Sequence, residues 1–246
     1  MRDSLIYVHY EPLAHMFATA GVTASDVLTA HSRPWHHLLL LPPVSDDELI
    51  DPHTGFNVVS GQQEITTWLR SKEARNRAWL DFRHGPYLQE LTPNEIAELL
   101  YLAHMRTHIQ PPFYYKLQNS LVFIPQKSEL ATLYFRQTRQ FDETLSAAIV
   151  RHLRLAANEQ PFWLRLRQQD FPSVAAPVMT ALYPLLEEGV MLDFGAGVFS
   201  KTNVVVPLLT PRGRFVPERQ DELAQSQRRG QLELDRTSGT WRLAAE

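Results

Sequence analysis

PFYYKLQNSLVFIPQKSELATLYFR, residues 112–136, is where the chain's apolar pattern switches from helical to alternating spacing. It reads as three short strands near 113–117, 121–124 and 130–136 joined by polar turns, which is the pattern of an antiparallel meander. The segment before it carries a strong helix start. In LTPNEIAELL, residues 91–100, Thr92 is placed as N-cap, Pro93 at the first helical position and Glu95 as the acidic partner of a capping box. Leu91 and Ile96 complete a hydrophobic staple, and the helix is expected to reach about His108 before Pro111 and Pro112 end it. After the strands, Phe141, Leu145, Ile149 and Leu153 recur every four residues. Asp142 and Glu143 sit in the first turn of that helix and Arg151, His152 and Arg154 near its end, as the helix dipole favours.

Outward from this centre the signals are shorter. LIYVHY, residues 5–10, reads as a strand; helices are expected at 11–20, closed by Gly21, and at 24–31, capped by Thr23. HHLLLL, residues 36–41, reads as a buried strand stopped by Pro42 and Pro43. Ser60 with Gln63 suggests a capping box for a helix carrying Ile65, Trp68 and Leu69, followed by a helical segment to about 83 with Ala78, Trp79 and Phe82, ended by Gly85. A helix over 174–188, interrupted by Pro184, ends at Gly189, and short strands with turns fill the remainder. Local hairpins and helices without regular strand–helix alternation predict an α+β fold: helices packed with a small antiparallel, meander-type sheet in one globular domain, residues 1–246.

The composition excludes several classes. The 246 residues are 44% hydrophobic and 21% charged, which is globular rather than disordered. With no cysteine, disulfides, thiolate zinc sites, iron–sulfur clusters and a cysteine nucleophile are all removed, so a metal would need His, Asp or Glu. The longest apolar run, LLLLPPV at 38–44, falls far short of the ~20 residues that span a bilayer. No signal-peptide pattern opens the chain, so a soluble, cytoplasmic protein with no membrane association is expected. The net charge of −3 disfavours long-range attraction to nucleic acid.

Four stretches carry candidate chemistry. His104 and His108 lie one helical turn apart on the flank of the helix's apolar side and are the candidate ligands for a divalent metal. The position next to the first histidine, where H-E-x-x-H hydrolases keep their general base, is Met105. MLDFGAGVFSKTN, residues 191–203, contains LDFGAG, which resembles the glycine-rich first loop of Rossmann-type methyltransferases. Only 49 residues follow Gly197, too few to complete that sheet in its usual order, and the reading preferred here is a glycine-containing turn between strands. The basic, aromatic-interleaved region 134–167 supplies the candidate ligand-binding residues Arg136, Arg139, Arg151, Arg154 and Arg165, suited to carboxylate or phosphate. SDDELIDPHTG, residues 45–55, is an acidic turn without the calcium-loop spacing.

Together these features predict a non-catalytic binding or regulatory protein that recognises a protein partner or a small anionic ligand. A metal-dependent hydrolase using His104 and His108 is the alternative, and nucleic-acid association through the arginine-rich region is the third.

Overall fold

Strand β1, Leu5–Glu11, turns back through a short 3₁₀ turn at Pro12–Ala14 into β2, Met16–Ala20. The two pair antiparallel from Tyr7 opposite Ala20 to Glu11 opposite Met16, with His15 taking the left-handed conformation at φ 48° that closes the loop. The helix expected at 11–20 is therefore mostly a strand. Met16, Ala18 and Ala20 favour helix when isolated, but pairing with β1 on one side and with β7, Leu130–Phe135, on the other overrides that local preference.

The computed structural model describes residues 4–31, 34–41, 53–104, 111–126, 130–159, 171–211 and 226–245. Within them, α1 (Ala24–Ala30) precedes β3 (His37–Leu40), β4 (Asn57–Ser60), α2 (Gln62–Leu69) and β5 (Trp79–Phe82). Helix α3 (Pro93–His104) leads to β6 (Leu121–Pro125) and β7, then α4 (Thr138–Glu159) and α5 (Ala176–Glu188). The last strands are β8 (Val190–Asp193), β9 (Val198–Phe199), β10 (Asn203–Thr210), β11 (Gln227–Asp235) and β12 (Thr240–Ala245). All twelve strands join one sheet in the order β12-β11-β10-β8-β1-β2-β7-β6-β5-β3-β4, with β9 beside β10, and every pairing is antiparallel.

This corrects the small meander expected from the sequence. The strands at 121–124 and 130–136 are present, but they lie at the middle of a sheet running from residue 5 to residue 245. Residues 113–117 form no strand; a turn occupies 115–118. The helical segment expected up to residue 83 is instead a 3₁₀ turn at Glu73–Arg75 and then β5, inserted between β3 and β6. Ser60 closes β4 and Gly61 takes the N-cap of α2, so the expected capping box there does not form. The box at Thr92 does form: the Thr92 amide donates to Glu95 Oε2 at 2.7 Å, and the Glu95 amide returns to the Thr92 hydroxyl. The Thr92 amide and the Lys116 ammonium hold the Glu95 carboxyl down at about 2.

Alternation along each strand sends its residues to two faces. On one face Ile6, Val8, Phe17, Leu121, Phe123, Leu133, Leu192 and Val206 meet Phe141, Leu145, Ile149 and Leu153, the stripe expected for α4. On the other, Leu39, Leu80, Phe82, Val122 and Tyr134 pack with Leu99 and Leu102 of α3. Asp193 Oδ1 accepts from the amides of Gly195 and Ala196 in the turn from β8 toward β9, so the glycine-rich motif is a connection between strands. No helix among the described residues is long and apolar enough to cross a membrane.

Helix α1 is fastened to α4 by a part-buried ion pair whose acid is buried and whose arginine is half-buried. Arg151 grips Asp26 with both arms, Nε to Oδ1 at 2.8 Å and a terminal amino group to Oδ2 at 2.9 Å, and it also donates to the Gly21 carbonyl. Asp26 closes the α1 capping box with Thr23, and its side chain is 3% exposed. Gly21 itself admits no side chain: φ is +81°, and an added Cβ would lie 2.4 Å from the Leu5 carbonyl oxygen. Removing one member of such a pair leaves a desolvated charge without its partner. Arg151→Ala is expected to lower the unfolding free energy by about 3 kcal/mol in urea denaturation, whereas Asp26→Asn/Arg151→Met should recover at least half of that loss. Equal losses in the two variants would assign the cost to packing rather than to the stranded carboxylate.

Candidate functional site

Strand β5 alternates in WLDFR, residues 79–83. Leu80 and Phe82 are buried on the α3 side of the sheet, and Asp81 and Arg83 line a hollow of about 580 Å³. The residues leading into β3 (Trp35, His36), the loop before β6 (Tyr115, Gln118, Ser120) and the entry to α4 (Arg136, Gln140) complete its walls. A volume of this size lies within the roughly 300–1,000 Å³ of small-ligand sites.

Asp81 braces one wall. Its Oδ1 accepts from the backbone amides of Ser120 and Leu121 at 2.8 and 2.6 Å, and its Oδ2 accepts from the Ser120 hydroxyl at 2.8 Å. Burial pushes the carboxyl above its ordinary value, and these three donors oppose the shift. The carboxylate thus ties β5 to the start of β6 and fixes the end of the 111–120 loop. The loop is held elsewhere too. Asn119, fully buried, accepts from the Tyr114 amide at 2.7 Å and donates to the Pro112 carbonyl at 2.9 Å, while Lys116 reaches Glu95 and the Glu90 carbonyl.

Arg136 is fixed on the same loop. Its Nε donates to the Asn119 carbonyl at 3.0 Å, and its guanidinium lies 5.1 Å from the centre of the Phe113 ring. Arg83 is anchored through its backbone, whose amide donates to the Leu117 carbonyl at 3.2 Å. Both side chains are exposed, and among the described residues no carboxylate pairs with either. His36 lines the hollow; the neighbouring His37 bonds Ser60 and is pushed below its ordinary value, first by burial and then by the His36 and His84 imidazoles.

The other arginines singled out in the sequence lie elsewhere. Arg139, Arg151 and Arg154 line a second hollow, of about 730 Å³, between α1, α4 and the start of α5. There Arg139 pairs with Glu143 at 2.9 Å and Arg151 with Asp26, while Asp142, whose carboxyl burial raises, accepts from the Tyr183 hydroxyl at 2.7 Å. Arg139 and Arg151 are thus each met by an acid. Arg165 lies outside the described residues, as does His108; His104 is the last residue of α3. Among the described residues no group of three or more His, Asp or Glu side chains converges to hold a metal ion. Of the acidic turn at 45–55 only His53–Gly55 is described.

Asp81 and Arg83 are not singled out in the sequence, because the stretch up to about residue 83 reads as helical. The signal that finds them is the period of two in WLDFR, which puts Trp79, Asp81 and Arg83 on one face. Trp35 and Tyr115 carry no motif and are brought in by tertiary placement alone.

No family model, curated protein or solved structure matches this chain.

If Asp81 is the brace, its loss and its isosteric replacement should separate. Asp81→Ala leaves two backbone amides without acceptors and is expected to cost about 2–4 kcal/mol in chemical denaturation. Asp81→Asn retains an oxygen for those amides and can donate to the Ser120 hydroxyl, so its cost should stay below about 1 kcal/mol.

Proposed function

We propose that the protein is a binding protein for a small anionic ligand, held in the hollow between β5, the 111–120 loop and the start of α4. The observation that supports this reading most directly is the pairing state of Arg83 and Arg136. Two exposed guanidinium groups line one concavity with no carboxylate partner among the described residues, whereas Arg139 and Arg151 in the neighbouring hollow are each engaged by an acid. An arginine fork matches the oxygen pairs of carboxylates and phosphates, and charge-assisted hydrogen bonds are the strong ones. The neutral amides of Gln118 and Gln140, which line the same walls, suit the remaining polar atoms of such a ligand. Arg136 is also pre-positioned by Asn119 and Phe113, so little side-chain freedom is lost when an anion arrives.

Isothermal titration with inorganic phosphate, pyrophosphate and citrate tests the reading. At least one of these anions should bind with a dissociation constant of about 1 mM or tighter, and Arg83→Ala and Arg136→Ala should each weaken it at least tenfold, or about 1.4 kcal/mol. Arg139→Ala should leave the affinity unchanged. Failure of all three anions to bind, or undiminished binding by the Arg83→Ala/Arg136→Ala double variant, would refute the assignment.

A further inference from the structure

Tyr115 lines the hollow with 91% of its surface exposed, and its ring therefore contributes little to either face of the core. The backbone that presents it is nonetheless closely specified. Tyr115 opens the 115–118 turn, whose last residue, Gln118, holds the left-handed conformation at φ 50°, a region that side chains other than glycine enter at a cost of about 1–3 kcal/mol. The next residue is the fully buried Asn119, bonded at both ends of its amide, and the turn is pinned to α3 through Lys116 and Glu95. Buried hydrogen bonds offset the strain and fix a turn whose most prominent product is an exposed aromatic ring beside two arginines that have no carboxylate partner among the described residues.

Resting on the anion-binding reading above, we infer that the ligand carries a planar ring as well as its negative charge: the ring stacks on Tyr115 while the anionic group meets Arg83 and Arg136. Aromatic stacking is tolerant of ring identity because every such ring offers a π-face, so this geometry selects a chemical class, ring-bearing carboxylates or phosphate esters. The hollow of about 580 Å³ has room for both parts at once.

Two pairs of anions matched in charge separate the contributions: phenyl phosphate against methyl phosphate, and benzoate against acetate, each titrated into the isotope-labelled full chain and followed by chemical shift. In at least one pair the ring-bearing member should bind about tenfold tighter or more. Tyr115→Ala should abolish that preference while leaving the ring-free anion within twofold of its original affinity, and Tyr115→Phe should retain it. Whichever pair binds more tightly identifies the head group. Equal affinities within both pairs, or a preference that survives Tyr115→Ala, would overturn the inference and leave anion binding standing. Binding of none of the four would overturn the inference, and the phosphate, pyrophosphate and citrate titrations would then decide whether anion binding stands.

Discussion

Helix α4 lies against the middle of the sheet through a single stripe, Phe141, Leu145, Ile149 and Leu153, every member of which is fully buried. The remaining architecture is arranged around that contact. The stripe packs with apolar side chains from central strands such as β1, β2, β6 and β7, so a twelve-stranded sheet keeps a continuous hydrophobic layer on that face. It also sets the positions of the elements flanking it. Arg151, on α4, reaches out to Asp26 and fastens α1; Arg136, two residues before the helix begins, is left at the mouth of the hollow beside β5. One burial event therefore places both a structural and a candidate functional arginine.

What distinguishes those arginines is their electrostatic surroundings rather than their sequence spacing. Arg139 and Arg151 project from α4 beside carboxylates: Arg151 forms a part-buried pair with the buried Asp26, and Arg139 a solvent-exposed pair with Glu143. Arg83 and Arg136 line a hollow together with Asp81, whose carboxylate already accepts three hydrogen bonds from Ser120 and Leu121. Asp81 thus organises the wall of the hollow through short-range hydrogen bonds without forming an ion pair with either cation. A cation without a carboxylate partner retains its capacity for an external anion, which a two-armed, part-buried pair such as Arg151 with Asp26 takes up in large part.

Helix α3 with its Thr92–Glu95 box, helix α4 with its four-residue repeat and the strands beginning at Leu5, His37, Leu121 and Leu130 were legible in the sequence, because each carries its signal within a few residues. The second strand of the N-terminal hairpin and β5 were not. Met16–Ala20 and Trp79–Phe82 are five- and four-residue runs whose composition is compatible with either period, and what settles them is pairing with partners far along the chain, such as Met16 opposite Tyr134 and Trp79 opposite Phe123. The extent of the sheet depended on those same distant pairings, so a local reading could show only its central hairpin. The arginine-rich stretch was legible as composition, but its division between two hollows was not: residues three to four apart on α4 share a face, whereas Arg136 sits before the helix and turns toward Arg83, more than fifty positions earlier.

On the proposed reading, Arg83 and Arg136 share one anion and the arginines of α4 do not touch it. The side-chain Nε–H resonances of these residues, followed by ¹H–¹⁵N correlation during a phosphate titration, report this directly. The Arg83 and Arg136 signals should move together with a single midpoint while those of Arg139 and Arg151 stay in place. Movement of the Arg139 or Arg151 signals instead, or separate midpoints for Arg83 and Arg136, would contradict it.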